Sequence, residues 1–523
     1  MTTRQKSENR ETPQGHRKVV PTRSDEPPGG GKAVPVNQQA EQLSLFFGSA
    51  ECPKSQDKGA NTGKTRHHRR DDPSAVPQPK DKGEQARLAT LEMVTGFLEL
   101  AFEKVAANKG APGPDRQTIS QVREHQGVII PELWRALLDG SYRPGDIRRV
   151  WIPKSGGQRG LGIPNVVDRV VQEAVRMVLE PLYEPTFHNQ SHGFRAERGC
   201  HTAVALATEY LNEGFEWVVD LDIEKFFDAV NRQRLLARLA QRVTDKRILV
   251  LVGRMLSANV IMPDGVRVST EDGLPQGGPL SPLLANIVLD ELDTELVRRG
   301  HRFVRYADDA NIYVRSERAG QRVMASITGF IEKRLRLKVN ASKSAVARPG
   351  TRHFLGFRLC RSPQGEGVDI QLSERSERRL REKVRDLTPR IWGSSITACI
   401  GQINTYITGW LGHFRICTPV VEWTLRATDA HIRRRLRAIQ LKHWKTKRTI
   451  ARRLIKLGTS RAGAFKAVFR GKKSLWALSH TTATERALPV AYWTKRGLLS
   501  LQSKWQQIAR TRDASQQLRL PWR

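Results

Sequence analysis

The sequence predicts an α+β protein whose last third is helical and strongly basic. Between residues 86 and 370, β-prone runs alternate with amphipathic helical patterns, whereas the apolar residues after 371 recur at helical spacing. The formal net charge is +35, and residues 371–523 hold 33 Lys and Arg against 8 Asp and Glu. Residues 86–370 hold 40 against 34. This asymmetry indicates an ordinary globular body joined to a part that binds nucleic acid.

The composition excludes several classes of protein. A chain of 523 residues with 38% hydrophobic content suits a globular protein of about two to four domains. The five cysteines form no Cys-x-x-Cys pair, so a zinc ribbon is not expected and a reduced, cytosolic setting fits. The N-terminus lacks a signal peptide, and the longest apolar run, residues 248–252, is too short to cross a bilayer. We therefore expect no association with a membrane.

Residues 1–84 are predicted to be a largely disordered N-terminal extension. They are rich in Pro, Gly, Ser, Gln and mixed charges. Such a segment cannot bury enough apolar surface to offset the entropy lost on ordering. Order is expected to begin near residue 85.

The globular body shows alternating helical and strand patterns. Apolar spacing predicts helices over 86–107, 118–139, 201–212, 231–240, 245–257, 283–299 and 318–336. Strands are expected in hairpins over 148–164, 258–270 and 303–314, in a buried run from 217, and near 352–358. A linker is expected near 361–370.

Acidic residues stand at the ends of two of these predicted strands. Asp308 and Asp309 form the turn of an apolar hairpin, where two adjacent anions repel each other unless a divalent cation lies between them. A solvated acidic turn is the alternative. Asp220 and Asp222 end another strand and face the same side of it. Asp228 follows, and a turn or a helix cap would explain it.

Two further stretches suit an anionic or flat ligand. Lys154 and Arg159 flank the Gly-rich turn of the 148–164 hairpin, an arrangement that can clamp a triphosphate, although charged hairpin tips are common. A Gly- and Pro-rich stretch around Gln276 allows close approach of the backbone to a ligand that Gln276 would orient.

The basic last third predicts contact with RNA phosphates. One helix packs through Ile432, Leu436 and Ile439 and is otherwise cationic, which a purely solvated helix rarely is. The tryptophans interleaved with this charge are expected to be mostly core, with one or two stacking on bases. The candidate RNA-binding residues are Arg433, Arg434, Arg435, Arg437, Lys442, Lys445, Lys447, Arg448, Arg452 and Arg453.

The order of these motifs resembles the reverse transcriptases encoded by bacterial group II introns. Asp222 follows a strand, Gln276 and Gly277 come next, and Asp308 lies 86 residues after Asp222. Further matches are the 108–115 loop, the 152–164 block, Gly193-Phe194-Arg195 and Phe354-Leu355-Gly356. The similarity covers about residues 86–500. No Cys follows Cys417, which resembles the lineages that lack a Cys-bearing endonuclease.

The resemblance implies a right-hand polymerase. Residues 85–365 would form the fingers and a ferredoxin-like palm, and residues 371–523 an α-helical thumb and maturase region. The implied chemistry is RNA-directed DNA synthesis with two Mg²⁺ ions, or Mn²⁺ in their place. The implied metal ligands are the carboxylates of Asp222, Asp308 and Asp309 and the carbonyl of Ile223. The implied nucleotide contacts are Lys154, Arg159, Phe227, Gln276 and Lys343.

The implied partners are group II intron RNA, an RNA template with a DNA primer, deoxynucleoside triphosphates and target DNA. The bacterial cytoplasm, in a nucleoid-associated ribonucleoprotein, is the implied location, and a homodimer is one open alternative. Two other functions stay open: a maturase without polymerase activity, and a host-adapted reverse transcriptase used in defence or diversity generation.

Overall fold

The computed structural model describes residues 89–517, apart from 155, 156, 270, 271, 364, 366, 390 and 471–473. The strands are β1 (Ile147–Lys154), β2 (Gly157–Ile163), β3 (Trp217–Leu221), β4 (Val260–Ile261), β5 (Arg267–Val268), β6 (Arg302–Tyr306), β7 (Asp309–Val314), β8 (Ala345–Ala347), β9 (Phe357–Arg361) and β10 (Val368–Leu372). The predicted extension 1–84 lies outside the described residues.

The helices are α1 (Leu91–Gly96), α2 (Leu98–Ala107), α3 (Ile119–Glu124), α4 (Gln126–Leu138), α5 (Val166–Tyr183), α6 (Cys200–Asn212), α7 (Phe226–Ala229), α8 (Arg232–Ala240), α9 (Lys246–Leu256), α10 (Ser281–Arg298), α11 (Glu317–Phe330), α12 (Glu374–Asp386), α13 (Ile396–Phe414), α14 (Glu422–His443), α15 (Lys447–Lys456), α16 (Arg461–Phe465), α17 (Leu475–Leu478), α18 (Thr482–Ala487), α19 (Val490–Thr494) and α20 (Leu501–Gln517). Strands and helices are mixed up to residue 372, and the described residues beyond it are helical, as the α+β prediction requires.

A four-stranded antiparallel sheet, ordered β6-β7-β3-β8, is shared by two hydrophobic cores. Alternate residues along a strand point to opposite faces. One face packs with helices α1, α2, α5 and α8–α11 through Val219, Leu221, Phe303 and Ile312. The other face packs with α6 and the helices after β10 through Val218, Val304 and Tyr313. The basic helical region therefore shares a core with the sheet.

The other strands form two smaller sheets. The first is ordered β2-β1-β4-β5, and β1 and β2 make the predicted hairpin within it. The second is the hairpin of β9 and β10. Strand β10 corrects the expected linker near 361–370, because Gly365 and Gly367 adopt positive φ angles of 82° and 78° and allow the chain to turn back into a strand.

Several helix boundaries differ from those predicted. The helix predicted over 86–107 is divided at Phe97, and the one over 118–139 is divided at His125. Asn231 caps α8, since its side chain accepts a hydrogen bond from the Arg234 amide at 3.0 Å. The cap therefore does not require Asp228. In the described part of the chain, no helix is long and apolar enough to span a membrane.

Helix α14 is the centre of the basic region. Its residues Ile432, Leu436 and Ile439 are buried, which confirms the predicted packing face. Asp429 of the same helix accepts hydrogen bonds from the start of α20: from the hydroxyl of Ser500 at 2.7 Å and from the amide of Leu501 at 2.9 Å. This carboxylate satisfies amide groups that a helix terminus otherwise leaves unbonded.

We expect Asp429→Ala to lower the free energy of unfolding by about 2 kcal/mol, because buried donors lose a charged acceptor. Thermal unfolding monitored by circular dichroism measures the loss. The control is Glu103→Gln, which breaks an ion pair with Arg123 in which both side chains are about half exposed and should change stability by less than about 0.5 kcal/mol. Equal effects of the two variants would contradict the prediction.

Candidate active site

Three acidic residues, Asp222, Asp308 and Asp309, lie at one end of the central sheet. Strands β3 and β7 are antiparallel, with Leu221 opposite Ala310, so the residue after β3 lies beside the residues that begin β7. The β6–β7 turn consists of Ala307 and Asp308 alone, because Tyr306 pairs with Asp309. Neighbouring strands lie about 4.8 Å apart. The register therefore brings the backbone of Asp222 next to Asp309, which begins β7, and close to the turn that carries Asp308. The predicted turn of Asp308 and Asp309 is corrected in this respect, because Asp309 is already paired with Tyr306 in the sheet.

The loop between α11 and β8 anchors Asp222. The amide of Asp222 donates to Ser344 Oγ at 3.0 Å, and its carbonyl accepts from the Asn340 amide at 2.8 Å. Lys343 Nζ lies 3.1 Å from Asp222 Oδ2. Ile223 forms an isolated bridge with Val339. Lys343, expected near the triphosphate, thus contacts the first carboxylate directly.

Asp220 is held in a different way from Asp222. Its Oδ2 accepts from Nε and Nη2 of Arg352 at 2.8 and 2.6 Å, while burial raises the pKa of its carboxyl. Arg352 also donates to the carbonyl of Lys343 at 2.6 Å. Asp220 therefore fixes, through Arg352, the loop that carries Lys343.

Two of the nucleotide candidates are in contact although they lie 117 residues apart. Arg159 Nε donates to Gln276 Oε1 at 2.9 Å, and the Gly162 amide donates to the carbonyl of Gln276 at 2.6 Å. Gly277 has a φ of +120°, and a Cβ there would lie 2.3 Å from the carbonyl oxygen of Gly162. Close backbone approach thus joins the β1–β2 hairpin to the Gly-rich stretch. The side chain of Lys154 lies outside the described part of the structure.

Phe227 is chiefly a core residue. Its side chain is 8% exposed and packs edge-on against Phe226 with ring centres 5.3 Å apart. Its carbonyl accepts a hydrogen bond from the Leu274 amide at 2.6 Å, which joins α7 to the stretch before Gln276. Little of this side chain is therefore accessible to a ligand.

The donors at the end of the sheet suit a hard divalent cation. Among the described residues, no three His, Cys, Asp or Glu side chains already lie together as a metal-binding group. Mg²⁺ is bound in many enzymes by one or two carboxylates, with water and substrate phosphates completing its shell. The carboxylates of Asp222 and Asp308 fit that pattern, and Lys343 beside Asp222 supplies a positive charge there.

The support of the carboxylate turn was not predicted from the sequence. Arg305, inside an apolar strand, is fully buried and forms an ion pair with the equally buried Asp293. Gly193 lies against the turn, where a Cβ would be 2.4 Å from the amide nitrogen of Ala307. The only signal in the sequence was a charged residue in the middle of a β-prone apolar run.

The basic candidates divide into exposed and packed residues. Arg437 is 8% exposed and pairs with Glu485, and Arg435 donates to Thr388 Oγ1 and to the carbonyl of Arg385. The guanidinium of Arg434 lies 4.0 Å from the ring centre of Trp476. The exposed members are Lys442, Lys445, Lys447, Arg448, Arg452 and Arg453, and Arg433 is half-buried.

The tryptophans of this region also include both buried and exposed residues. Trp493 and Trp505 are buried, as most were expected to be, whereas Trp423 is 75% exposed. Several of the exposed cations, Lys445, Lys447 and Arg448, lie close together in sequence around the start of α15.

Two family models match the chain. The model for reverse transcriptase (RNA-dependent DNA polymerase) matches residues 152–359, which include every carboxylate and nucleotide candidate. The model for the group II intron maturase-specific domain matches residues 377–457, which include all the basic candidates.

The chain is also similar to individual proteins. The chain is 31% identical to Protein YkfC of Escherichia coli (strain K12) over an alignment of 348 residues, which covers 58% of this chain and 91% of that protein. It is 37% identical to the group II intron-encoded protein LtrA of Lactococcus lactis subsp. cremoris over 210 residues, 39% of this chain but only 34% of LtrA. A solved partial Cas6-RT-Cas1–Cas2 complex aligns with 24% identity over 47% of this chain and 43% of that chain, at a TM-score of 0.31.

Helix α10 carries a second acid, the half-buried Asp290, about one turn before Asp293. Burial, with repulsion from Asp293, raises its pKa from the ordinary 3.8 to about 6. The folded state therefore retains a proton that the unfolded chain releases as the pH rises from about 4 to 6, and stability falls over that window by about 1–3 kcal/mol. We expect Asp290→Asn to remove this fall. Urea unfolding at a series of pH values measures it, and parallel profiles of the two proteins would refute the assignment.

Proposed function

The chain belongs to the family of reverse transcriptases and maturases encoded by group II introns, and we propose that it both copies RNA into DNA and assists the splicing of its intron. The observation that supports the polymerase activity is the shared position of Asp222, Asp308 and Asp309 at one end of the central sheet. DNA copies of the intron would serve its mobility.

In this proposal the chain has the architecture of a right hand. Residues 85–365 form fingers and a ferredoxin-like palm, with the β6-β7-β3-β8 sheet as the floor of the palm. Residues 371–523 form the helical thumb and maturase region, and residues 1–84 form an N-terminal extension. The mixture of strands and helices before residue 372 and the helices beyond it support this division.

The carboxylates would hold the catalytic cations, with Asp222 and Asp308 as principal ligands, Asp309 beside them and the Ile223 carbonyl as a further ligand. When bound there, Mg²⁺ or Mn²⁺ supplies the positive charge that activates the primer 3′-hydroxyl and stabilises the in-line transition state of phosphoryl transfer. The side chains divide the remaining work. Asp222 is kept in place by the Ser344 and Asn340 bonds, so its carboxylate is oriented before substrate arrives.

Cationic side chains would bind the incoming deoxynucleoside triphosphate. Arg159 and Lys154 lie on the β1–β2 hairpin, and Lys343 lies next to Asp222. Gln276, bonded to Arg159, would contact the nucleotide or the template, and the rim of Phe227 would contact the ribose. Because Arg159 and Gln276 are hydrogen-bonded to each other, a shift of the arginine towards the triphosphate would also move the glutamine that contacts the nucleotide or the template.

The exposed cations of α14 and α15 would bind intron RNA. A surface with this much unbalanced positive charge gains affinity by releasing counterions from RNA. Arg435 and Arg437 would act indirectly, because their contacts with Thr388 and Glu485 fix the helices that carry the exposed lysines and arginines. The RNA template, DNA primer and target DNA are the other proposed partners.

We expect Asp308→Ala to lower the rate of primer extension on an RNA template about a thousand-fold or more, because a metal-binding carboxylate contributes several kcal/mol to the transition state. Binding of the intron RNA, measured by filter retention, should be unchanged. The matched control is Asp228→Ala, an exposed acid in α7 that should keep wild-type extension. A wild-type protein that splices but does not extend a primer would instead indicate a maturase without polymerase activity.

We expect the double variant Lys447→Gln/Arg448→Gln to weaken RNA binding and to make the slope of log K against log salt shallower by about 1.5, since each phosphate contact contributes about 0.7–0.9. Both residues are exposed at the start of α15. The control is Arg318→Gln/Arg322→Gln, which removes two exposed charges from α11. Equal changes in slope for the two pairs would mean that RNA responds to total charge and not to this surface.

A further inference from the structure

We propose that Arg305 is the positioning residue that aims the carboxylate of Asp308, and that it acts through the carbonyl group of Ala307. The inference rests on the proposed polymerase function, because it concerns the carboxylate turn of that site.

The guanidinium of Arg305 makes five hydrogen bonds in the protein interior. Nε and Nη2 donate to the two carboxylate oxygens of Asp293 at 2.7 and 2.5 Å. Nη1 donates to Asn286 Oδ1 at 3.0 Å and to the Ala307 carbonyl at 2.9 Å. Nη2 also donates to Ser191 Oγ at 2.8 Å. These bonds equal the number of N–H donors on a guanidinium, so the group can take only one orientation.

The turn needs external support because Ala307 is in the left-handed conformation. Its φ is +56°, a region that residues with a side chain other than Asn or Asp seldom adopt. The Ala307 carbonyl belongs to the peptide group that leads into Asp308. The bond from Arg305 fixes the plane of that peptide and, with it, the direction in which the Asp308 side chain leaves the backbone.

A second contact holds the other side of the same turn. The Gly193 backbone lies so close that a Cβ would be 2.4 Å from the Ala307 nitrogen and 3.1 Å from the carbonyl carbon of Tyr306. Asn286 Nδ2 donates to the Gly193 carbonyl at 2.9 Å, while its Oδ1 accepts from Arg305. One side-chain amide thus links the guanidinium to the glycine, and the turn is clamped between them.

Lysine cannot replace the arginine in this role. An ammonium group carries three donors on a flexible stem and lacks the planar fork that reaches Asp293, Asn286 and Ala307 together. Arg305→Lys preserves the charge opposite Asp293 and should lose the contact with the turn. If Arg305 had only a structural role, Arg305→Lys would lower the stability of the protein without changing its affinity for the metal ion.

The test is the affinity of the full chain for Mn²⁺ alone, measured from the electron paramagnetic resonance of the free ion. The variants are Arg305→Lys, Gly193→Ala and Asp308→Asn, the last to define the contribution of the site. The matched control is Arg169→Lys, another buried arginine that donates to a backbone carbonyl, that of Ala111. Unfolding temperature is measured for each.

We expect Arg305→Lys and Gly193→Ala to weaken Mn²⁺ binding by about 10–100-fold, as loss of a group that orients a metal ligand does, and Arg169→Lys to leave it unchanged. Unchanged Mn²⁺ affinity in a folded Arg305→Lys protein would overturn the proposal; if that variant does not fold, Gly193→Ala decides by the same criterion. Primer extension by the wild type is measured in parallel. Its absence would count against the polymerase function, while the Mn²⁺ comparison would still decide the role of Arg305.

Discussion

The antiparallel register of β3 against β7 is the constraint on which the rest of the structure depends. With Leu221 opposite Ala310, the end of one strand meets the start of the other, and carboxylates far apart in the chain become neighbours. A slip of one residue would exchange the two faces of β3, so that Val219 and Val218 would each face the wrong core. Because both faces of the sheet are buried against different sets of helices, such a slip is opposed from both sides. Hydrophobic packing far from the carboxylates is thus what determines their separation.

A buried ion pair lies next to this sheet, at a place where apolar residues of similar size would be expected to give a more stable protein. The Arg305–Asp293 pair is removed from water entirely, and burying two ions is costly unless every donor and acceptor is bonded. Replacing such pairs by apolar residues often stabilises a protein, so their presence needs another explanation. Here the pair fixes the geometry of a two-residue turn. Arg352 and Asp220 form a partly exposed pair beside strand β3, and this pair fixes the loop that carries Lys343.

The sequence predicts those features that depend on local patterns, and it misses those that depend on partners distant in the chain. Strand patterns and acidic positions were enough to point to Asp308 and Asp309 and to the pair Asp220 and Asp222, and the resemblance to reverse transcriptases then selected Asp222 from that pair. The division of the first predicted helix at Phe97 could not be seen in the sequence, because the apolar residues keep their helical spacing on both sides of Phe97. The burial of Arg437 could not be foreseen, because its partner Glu485 lies in a different helix. The contact of Lys343 with Asp222 could not be predicted either, because it depends on how the whole loop before β8 folds back towards β3.

The shared sheet also determines how the two functions can be separated experimentally. Val218, Val304 and Tyr313 of the sheet pack into the same core as Ile432, Leu436 and Ile439 of α14. Removing the chain beyond residue 370 would expose that face of the sheet to water and disturb the register that unites the carboxylates. A shortened protein that lost both RNA binding and DNA synthesis would therefore say nothing about their independence. Substitutions outside that core, such as those of the exposed Lys447 and the half-buried Asp308, leave the shared packing intact and can show whether recognition of RNA and synthesis of DNA are separate properties of one folded chain.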